Sequence, residues 1–289
     1  MNIIFNIQGG LGKSIMATAV CKAIKKKFPK SYLIVVSSYK DVFLNNPSVN
    51  KIIAHPDQVG IYKKYIHKMD VKFMTIDPYM TSEFQNSEAH LIQIWCQLFG
   101  LDYDGELPEF FLSKAEKQFY KTVYQFDKPV LAIQTNGGGQ NQETQYNWAR
   151  DIPQPIIMKL IEKLKKHYTI VHIKRPDQPV FTDTLQAIDN YRSIAYLLSI
   201  ADKCLLMDSF AQHLAVAMKK PAVVCWVTTK PEVFGYDMHD NIEAEDHSLH
   251  SAFDHANYMP YNLVEMIQSL PYLDLNEIFK VNSLYNKLK

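Results

Sequence analysis

A strand, a glycine turn and a helix follow one another without a gap at residues 2–29, NIIFNIQGGLGKSIMATAVCKAIKKKFP, and this unit limits what the rest of the chain can build. Ile3, Ile4, Phe5 and Ile7 form a short apolar run. Beyond the turn Met16, Ala19, Val20, Ala23 and Ile24 recur at helical spacing while Lys25, Lys26 and Lys27 face water. Gly9, Gly10 and Gly12 lack the Cβ atoms that would hold a ligand away from the backbone. The amides opening such a helix suit an anion, and phosphate is the first expectation.

The letters Gly12-Lys13-Ser14 match the end of the P-loop motif G-x-x-x-x-G-K-[ST], but the motif needs glycine where this chain has Ile7. The variant K-G-G-x-G-K-[ST] would place its signature lysine at Gln8 and lacks its leading glycine here. A nucleotide-triphosphatase turn and a turn serving only helix-on-sheet packing both remain open.

The chain has 289 residues, enough for two domains of ordinary size. Its 31 basic and 30 acidic residues give a net charge of +1, so the overall balance favours neither nucleic acid nor an anionic membrane. Cys21, Cys96, Cys204 and Cys225 stand singly in apolar stretches without metal-ligand spacing, which predicts reduced core thiols. No apolar run reaches the roughly 18 residues of a membrane span, and the chain opens on a strand where a signal peptide would stand. A cytoplasmic location is expected, with room for contact at the inner face of the membrane.

Strand and helix alternate along the sequence. Tyr32 to Ser37, Lys51 to Ala54 and Phe73 to Ile76 read as strands, and Ala89 to Phe99 as a helix stopped by Gly100. Ser113 to Tyr124 makes a further helix. The punctuation at Asp127-Lys128-Pro129 sets a domain boundary, with one unit over 1–126 and a second over 127–260. Val130 to Ile133, Thr169 to Ile173, Cys204 to Met207 and Ala222 to Val227 read as strands of the second unit; Pro155 to Lys166, Ile194 to Ile200 and Phe210 to Met218 read as its helices. Residues 261–289 carry helical patterns expected to pack back across both domains. The fold class is α/β, with ligands beyond the carboxyl ends of parallel strands, where the glycine turn and Asp77 both emerge.

Residues 199–236, SIADKCLLMDSFAQHLAVAMKKPAVVCWVTTKPEVFGY, resemble the nucleotide-sugar segment of the heptosyltransferase-like glycosyltransferases of family 9. Asp208, Ser209 and His213 match that family's D-S-G-x-x-H, with Phe210 in place of its glycine. The glycine turn, KKFP, NNPSVNKII and AHLIQIWCQLFGL around His90 are spaced as in the family, so the resemblance runs over residues 3–245. It implies a GT-B architecture of two Rossmann-like domains facing a central cleft, with the acceptor on the first and the nucleotide sugar on the second.

The same resemblance implies transfer of a sugar, with inversion, from a nucleotide diphosphate to a hydroxyl of a glycan or lipid-linked acceptor. An ADP-sugar is the first expectation for the donor, and no cofactor or metal is expected. The expected donor site comprises the glycine turn of Gly9, Gly10 and Gly12, the loop residues Gln134, Asn136, Gly137 and Trp148, and Asp208, Ser209 and His213; the family's basic residue ahead of the tryptophan is missing, Tyr146 and Asn147 standing there, so Arg150 is the substitute, with Lys174 and Arg175 as further candidates. Asp208 or Ser209 is expected to cap the helix at Phe210. His213 either points to that helix end or is a histidine bonded inside the domain interface. The family's general base follows its last glycine, where this chain has Lys13, so Lys13 is assigned to phosphate or an anionic acceptor and Asp77 becomes the replacement base, with Glu83 and His90 behind it. Asp77 as a turn former before Pro78 is the plain alternative. A non-catalytic nucleotide-sugar-binding or assembly protein on the same scaffold is the rival from another class. Asp102-Tyr103-Asp104 spells the D-x-D metal signature of a different glycosyltransferase architecture but falls in a loop, and is discounted.

Overall fold

The computed structural model describes residues 1–57, 59–137, 150–188, 190–245 and 278–289. Two parallel sheets carry it. The first joins β1 (Asn2–Ile7), β2 (Tyr32–Ser37), β3 (Lys51–Ile53) and β4 (Val71–Met74) in the order β3-β2-β1-β4. The second joins β5 (Val130–Ile133), β6 (Thr169–Ile173), β7 (Leu185–Ala187), β8 (Lys203–Met207), β9 (Val223–Trp226) and β10 (Asp240–Glu243) in the order β10-β9-β8-β5-β6-β7. Strands such as VLAI and VVCW are apolar throughout because central strands of a parallel sheet are covered on both faces.

In the first sheet α1 (Leu11–Lys27) and α2 (Leu91–Leu98) cover one face, where Phe5 meets the Trp95 ring edge-on at 5.2 Å. The opposite face carries a smaller cluster of Ile4, Ile34, Val36 and Ile53, covered by Ile61, Tyr65 and Ile66. After α3 (Lys114–Val123) the chain enters the second sheet. There α4 (Gln154–Leu164) and α7 (Val281–Leu288) pack on one side, and α5 (Tyr191–Ile200) and α6 (Phe210–Ala217) lie on the other. Of the C-terminal helices expected to return across both domains, the described one, α7, rests on α4 and the second sheet.

The two units meet through buried side chains. A Cβ on Gly12 of α1 would stand 3.1 Å from His213 Cδ2 of α6, so the glycine is what lets these helices approach. Tyr120 of α3 lies against Tyr196 of α5, ring centroids 5.6 Å apart. Arg192 of α5 donates to the carbonyls of Asp41 and Phe111 at 2.7 Å each and pairs with Glu116, which also closes the capping box of α3 with Ser113.

β4 ends two residues before its expected limit, because Ile76 is exposed and Asp77 begins a 3-10 turn. β7 and β10 were not anticipated. Both are short edge strands: LQA is too brief at 3 residues for its alternation to announce a strand, and DNIE is polar but for Ile242. The four cysteines are buried and unpaired.

Candidate functional site

The first half of the site grows from the turn after β1. Gly9 adopts φ +102°, a conformation that favours glycine, and Gly10 occupies the N-cap position of α1 without a side-chain cap. Lys13 folds back across this turn, its Cδ 3.1 Å from where a Gly9 Cβ would stand. Its ammonium reaches Asp77 Oδ1 at 2.5 Å and lies 4.3 Å from the centroid of the Tyr79 ring. Burial lowers the Lys13 pKa, opposed by the hydrogen bond and charge of Asp77. An ammonium so engaged is not the free arm that a P-loop extends to a phosphate.

Asp77 Oδ1 also accepts from the Tyr79 amide at 3.0 Å, capping the 3-10 turn Pro78–Met80. It is therefore a turn former and an ion partner together. Its side chain keeps 27% exposure, and both recorded bonds fall on Oδ1, leaving Oδ2 for another partner. Tyr79 stacks on Phe84 (4.6 Å) and meets Phe234 of the second unit edge-on (6.5 Å). Burial raises its hydroxyl pKa, and Arg150 and Asp208 of the second unit act on it electrostatically. Glu83 is exposed and bonded to Ser82, while His90 caps α2 by accepting from the Ile92 amide at 3.2 Å. Burial brings His90 down to about 4, a neutral ring 5.1 Å from that of Tyr236.

The second half lies at the carboxyl ends of β5, β6 and β8. The expected side-chain cap of α6 is not formed. Ser209 holds the N-cap position, but its Oγ accepts from Gln134 Nε2 at 3.2 Å, and Asp208 Oδ2 lies 3.7 Å from Arg150 Nε. The consequence favours a ligand, since among the described residues no side chain caps the first amides of α6 beside that ion pair. His213, one turn inside α6, is 3% exposed. Its Nδ1 is 2.9 Å from the Tyr236 hydroxyl, its ring rests on Gly12, and burial together with His90, His239 and Arg150 keeps it neutral.

The loop after β5 is held from behind by Asp151, which accepts from Asn136 Nδ2 at 2.7 Å and from the Gly137 amide at 2.8 Å. Gln178 Nε2 donates to the Gly137 carbonyl at 2.7 Å, and Thr135 Oγ1 lies 3.0 Å from His172 Nε2. Gln134, Asn136 and Gly137 thus shape the loop before they meet any ligand. Trp148 lies outside the described residues. Lys174, at the end of β6, is 7% exposed and has no ion-pair partner among the described residues, whereas Arg175 is taken by Asp177 at 2.8 Å.

Sequence reasoning missed Tyr79, Asp151 and Tyr236. Asp151 had a signal, since Asp-Ile-Pro ahead of an apolar periodic stretch marks a helix entrance. Asp104 of the D-x-D triplet is paired with Lys26, and no cluster of three metal-binding side chains occurs among the described residues.

No protein-family model matches the sequence, and a comparison with curated proteins returns no match. Solved structures do match. The family 9 glycosyltransferase of Veillonella parvula aligns over 99% of this chain and 95% of its own with a TM-score of 0.69 at 13% identity. The dodecameric iron-containing glycosyltransferase TibC of enterotoxigenic E. coli aligns over 99% and 75% with 0.70 at 14%. The ADP-heptose heptosyltransferase II of E. coli aligns over 93% and 98% with 0.62 at 12%. Two parallel α/β units, their order in the chain and these alignments together establish that the chain has the GT-B fold of the heptosyltransferase-like glycosyltransferases of family 9.

Proposed function

We propose that the chain is a glycosyltransferase that moves a sugar, with inversion and without a metal, from a nucleotide diphosphate to a hydroxyl of a glycan or lipid-linked acceptor. The acceptor domain is residues 1–126 and the donor domain 127–260; of the C-terminal stretch, 261–277 lie outside the described residues and α7 packs on the donor domain; the activity is cytoplasmic. The observation that carries the reading is the start of α6 beside Arg150 and Asp208, with the Lys13–Asp77 pair in the other unit. TibC has been solved with ADP-D-beta-D-heptose, which supports an ADP-sugar as the donor.

In this reading Asp77 Oδ2 takes the proton of the acceptor hydroxyl as its oxygen forms a bond to the anomeric carbon. The bond from that carbon to the diphosphate breaks, and its electron pair leaves with the β-phosphate. The α6 amides and Arg150 receive this charge, with Lys174 further along the same strand ends. Lys13 holds Asp77 in place.

A nucleotide-sugar-binding protein without catalysis is the second reading, favoured by the commitment of Asp77 to Lys13. One experiment on the purified chain separates the two. Melting is followed with ADP, UDP, GDP and CMP, their sugar conjugates, and ATP with magnesium. A ligand at 100 times its dissociation constant adds about 2.7 kcal/mol. Stabilisation by one diphosphate without metal, lost in Asp208→Ala, supports the donor site, and release of that diphosphate from its sugar conjugate supports catalysis. A response confined to ATP with magnesium overturns both readings.

A further inference from the structure

Exposed apolar side chains concentrate in one stretch of the first unit. Tyr62 is 64% exposed, Met69 53%, Phe73 53%, and Ile76 and Met80 58% each. Tyr62 and Phe73 belong to one side of the unit. β4 is an edge strand, and its register sets Phe73 opposite Ile4, so Phe73 stands on the face of Ile4, Ile34, Val36 and Ile53. Over that face runs the turn Tyr62–Ile66, whose Tyr65 and Ile66 point in and whose Tyr62 remains out. The stretch continues past the end of β4 through Ile76 to Met80, on either side of Asp77, and so reaches the candidate site.

Lys63, Lys64 and Lys68 are exposed and adjoin Tyr62 and Met69 in the chain, and none forms an ion pair among the described residues. The acidic groups of the stretch are engaged, Asp70 near the N-terminal amine (3.9 Å) and Asp77 with Lys13. A chain of net charge +1 thus gathers unpaired cations around its exposed aromatic and thioether groups. A second copy fits this surface poorly, because a two-fold contact would bring the lysines of one copy against those of the other.

We infer that this surface docks on an anionic lipid bilayer, with Tyr62, Met69 and Phe73 entering the interface and Lys63, Lys64 and Lys68 meeting the headgroups. Tyrosine suits the headgroup level, and lysines flanking apolar residues combine area burial with attraction to anionic lipid. Docked in this way, Ile76 and Met80 lie beside the membrane, and Asp77 opens toward an acceptor held in it. The docking does not rest on the transferase reading, because it is measured without nucleotide or acceptor.

The test is sedimentation of the full chain with vesicles of phosphatidylcholine alone and of phosphatidylcholine mixed with phosphatidylglycerol. Binding is expected with the mixed vesicles and is expected to weaken with salt. Each lysine near an anionic surface contributes about fivefold, so the triple variant Lys63→Ala, Lys64→Ala, Lys68→Ala loses about a hundredfold. Tyr62→Ser with Phe73→Ser loses binding at every salt concentration while melting as the parent does. Equal binding to both vesicles, no binding to either, or an unaffected triple variant overturns the inference. So does tighter binding to poly-L-glutamate than to the mixed vesicles, which assigns an acidic protein, or a lipid-independent dimer abolished by Phe73→Ser, which assigns a second copy.

Discussion

The Lys13 ammonium lies 2.5 Å from Asp77 Oδ1, a contact between residues 64 positions apart that joins the helix after β1 to the turn after β4. The two members are not equally exposed, Lys13 being buried and Asp77 keeping 27% of its side-chain surface. Their removal should therefore cost unequal amounts. Asp77→Ala leaves a buried ammonium without its anion and is expected to destabilise by about 3 kcal/mol, while Lys13→Met leaves a carboxylate that water can reach and costs about 1 kcal/mol. The double variant should recover most of the loss of Asp77→Ala. Because burial sets the folded Lys13 pKa below its ordinary 10.5, the unfolded chain binds more protons in that window and stability rises with pH through it. The slope should steepen in Asp77→Ala. Urea denaturation of the parent, both single variants and the double variant over a range of alkaline pH reads all of these terms.

The approach of α1 to α6 depends on Gly12. A Cβ there meets His213 Cδ2 at 3.1 Å and the Phe210 Cα at 3.5 Å, and His213 has little room because its Nδ1 is held by Tyr236. Gly12→Ala is expected to cost about 1 kcal/mol and Gly12→Val about 3 kcal/mol. Since the displaced backbone is the start of α6, Gly12→Val should also weaken nucleoside diphosphate binding, measured by calorimetry. His213→Ala in the same background should restore part of the stability by vacating the space.

Acid should unfold the protein through its histidines. Burial holds His90 and His172 at about 4 and His213 well below its ordinary value. In the unfolded chain each takes a proton as pH falls through about 6.5, while folded His90 and His172 resist until near 4. Stability is therefore full above about pH 6.5 and declines between there and pH 4, by up to about 3 kcal/mol for each of His90 and His172. Melting temperature against pH checks this, and His172→Asn should flatten the decline relative to the parent.

Much of the fold was legible because its central strands are short apolar runs bounded by turn residues. β2, β5 and β6 fall on their expected limits for that reason. β7 and β10 lie at sheet edges, where polar side chains are compatible with pairing on one side only, and their text resembles loop. The site was legible as a set of residues and less so as a set of roles. The strand-to-helix step placed Asp208 and Ser209 at the opening of α6, but capping is decided by which donor comes near, and Gln134 from another strand took Ser209. His213 sits one turn inside α6, and a partner 23 residues away, Tyr236, turned it into the interface. Arg192 had no local signal, since an arginine near the start of an amphipathic helix reads as solvated until the other unit supplies Glu116 and two carbonyls.

That clamp yields the last expectation. Glu116 is brought down to about 2, chiefly by its hydrogen bond from Arg192, with the Ser113 bonds of the capping box assisting. A carboxylate depressed in the folded state contributes stability that is complete above its ordinary value of about 4.5 and is lost as pH falls toward 2. Arg192→Ala removes the cation and leaves the carbonyls of Asp41 and Phe111 without their donor, so it should cost about 3 kcal/mol at neutral pH. Glu116→Gln keeps the shape and the carbonyl bonds, costs about 1 kcal/mol, and should remove the part of the acid loss that lies between pH 4.5 and 2. Arg192 joins the second unit to the first, so hydrogen exchange of Arg192→Ala should speed at Asp41, Phe111 and α3 and leave the β5–β8 amides unchanged. Uniform acceleration across both sheets would mean that the clamp acts on global stability and not on the join between the units.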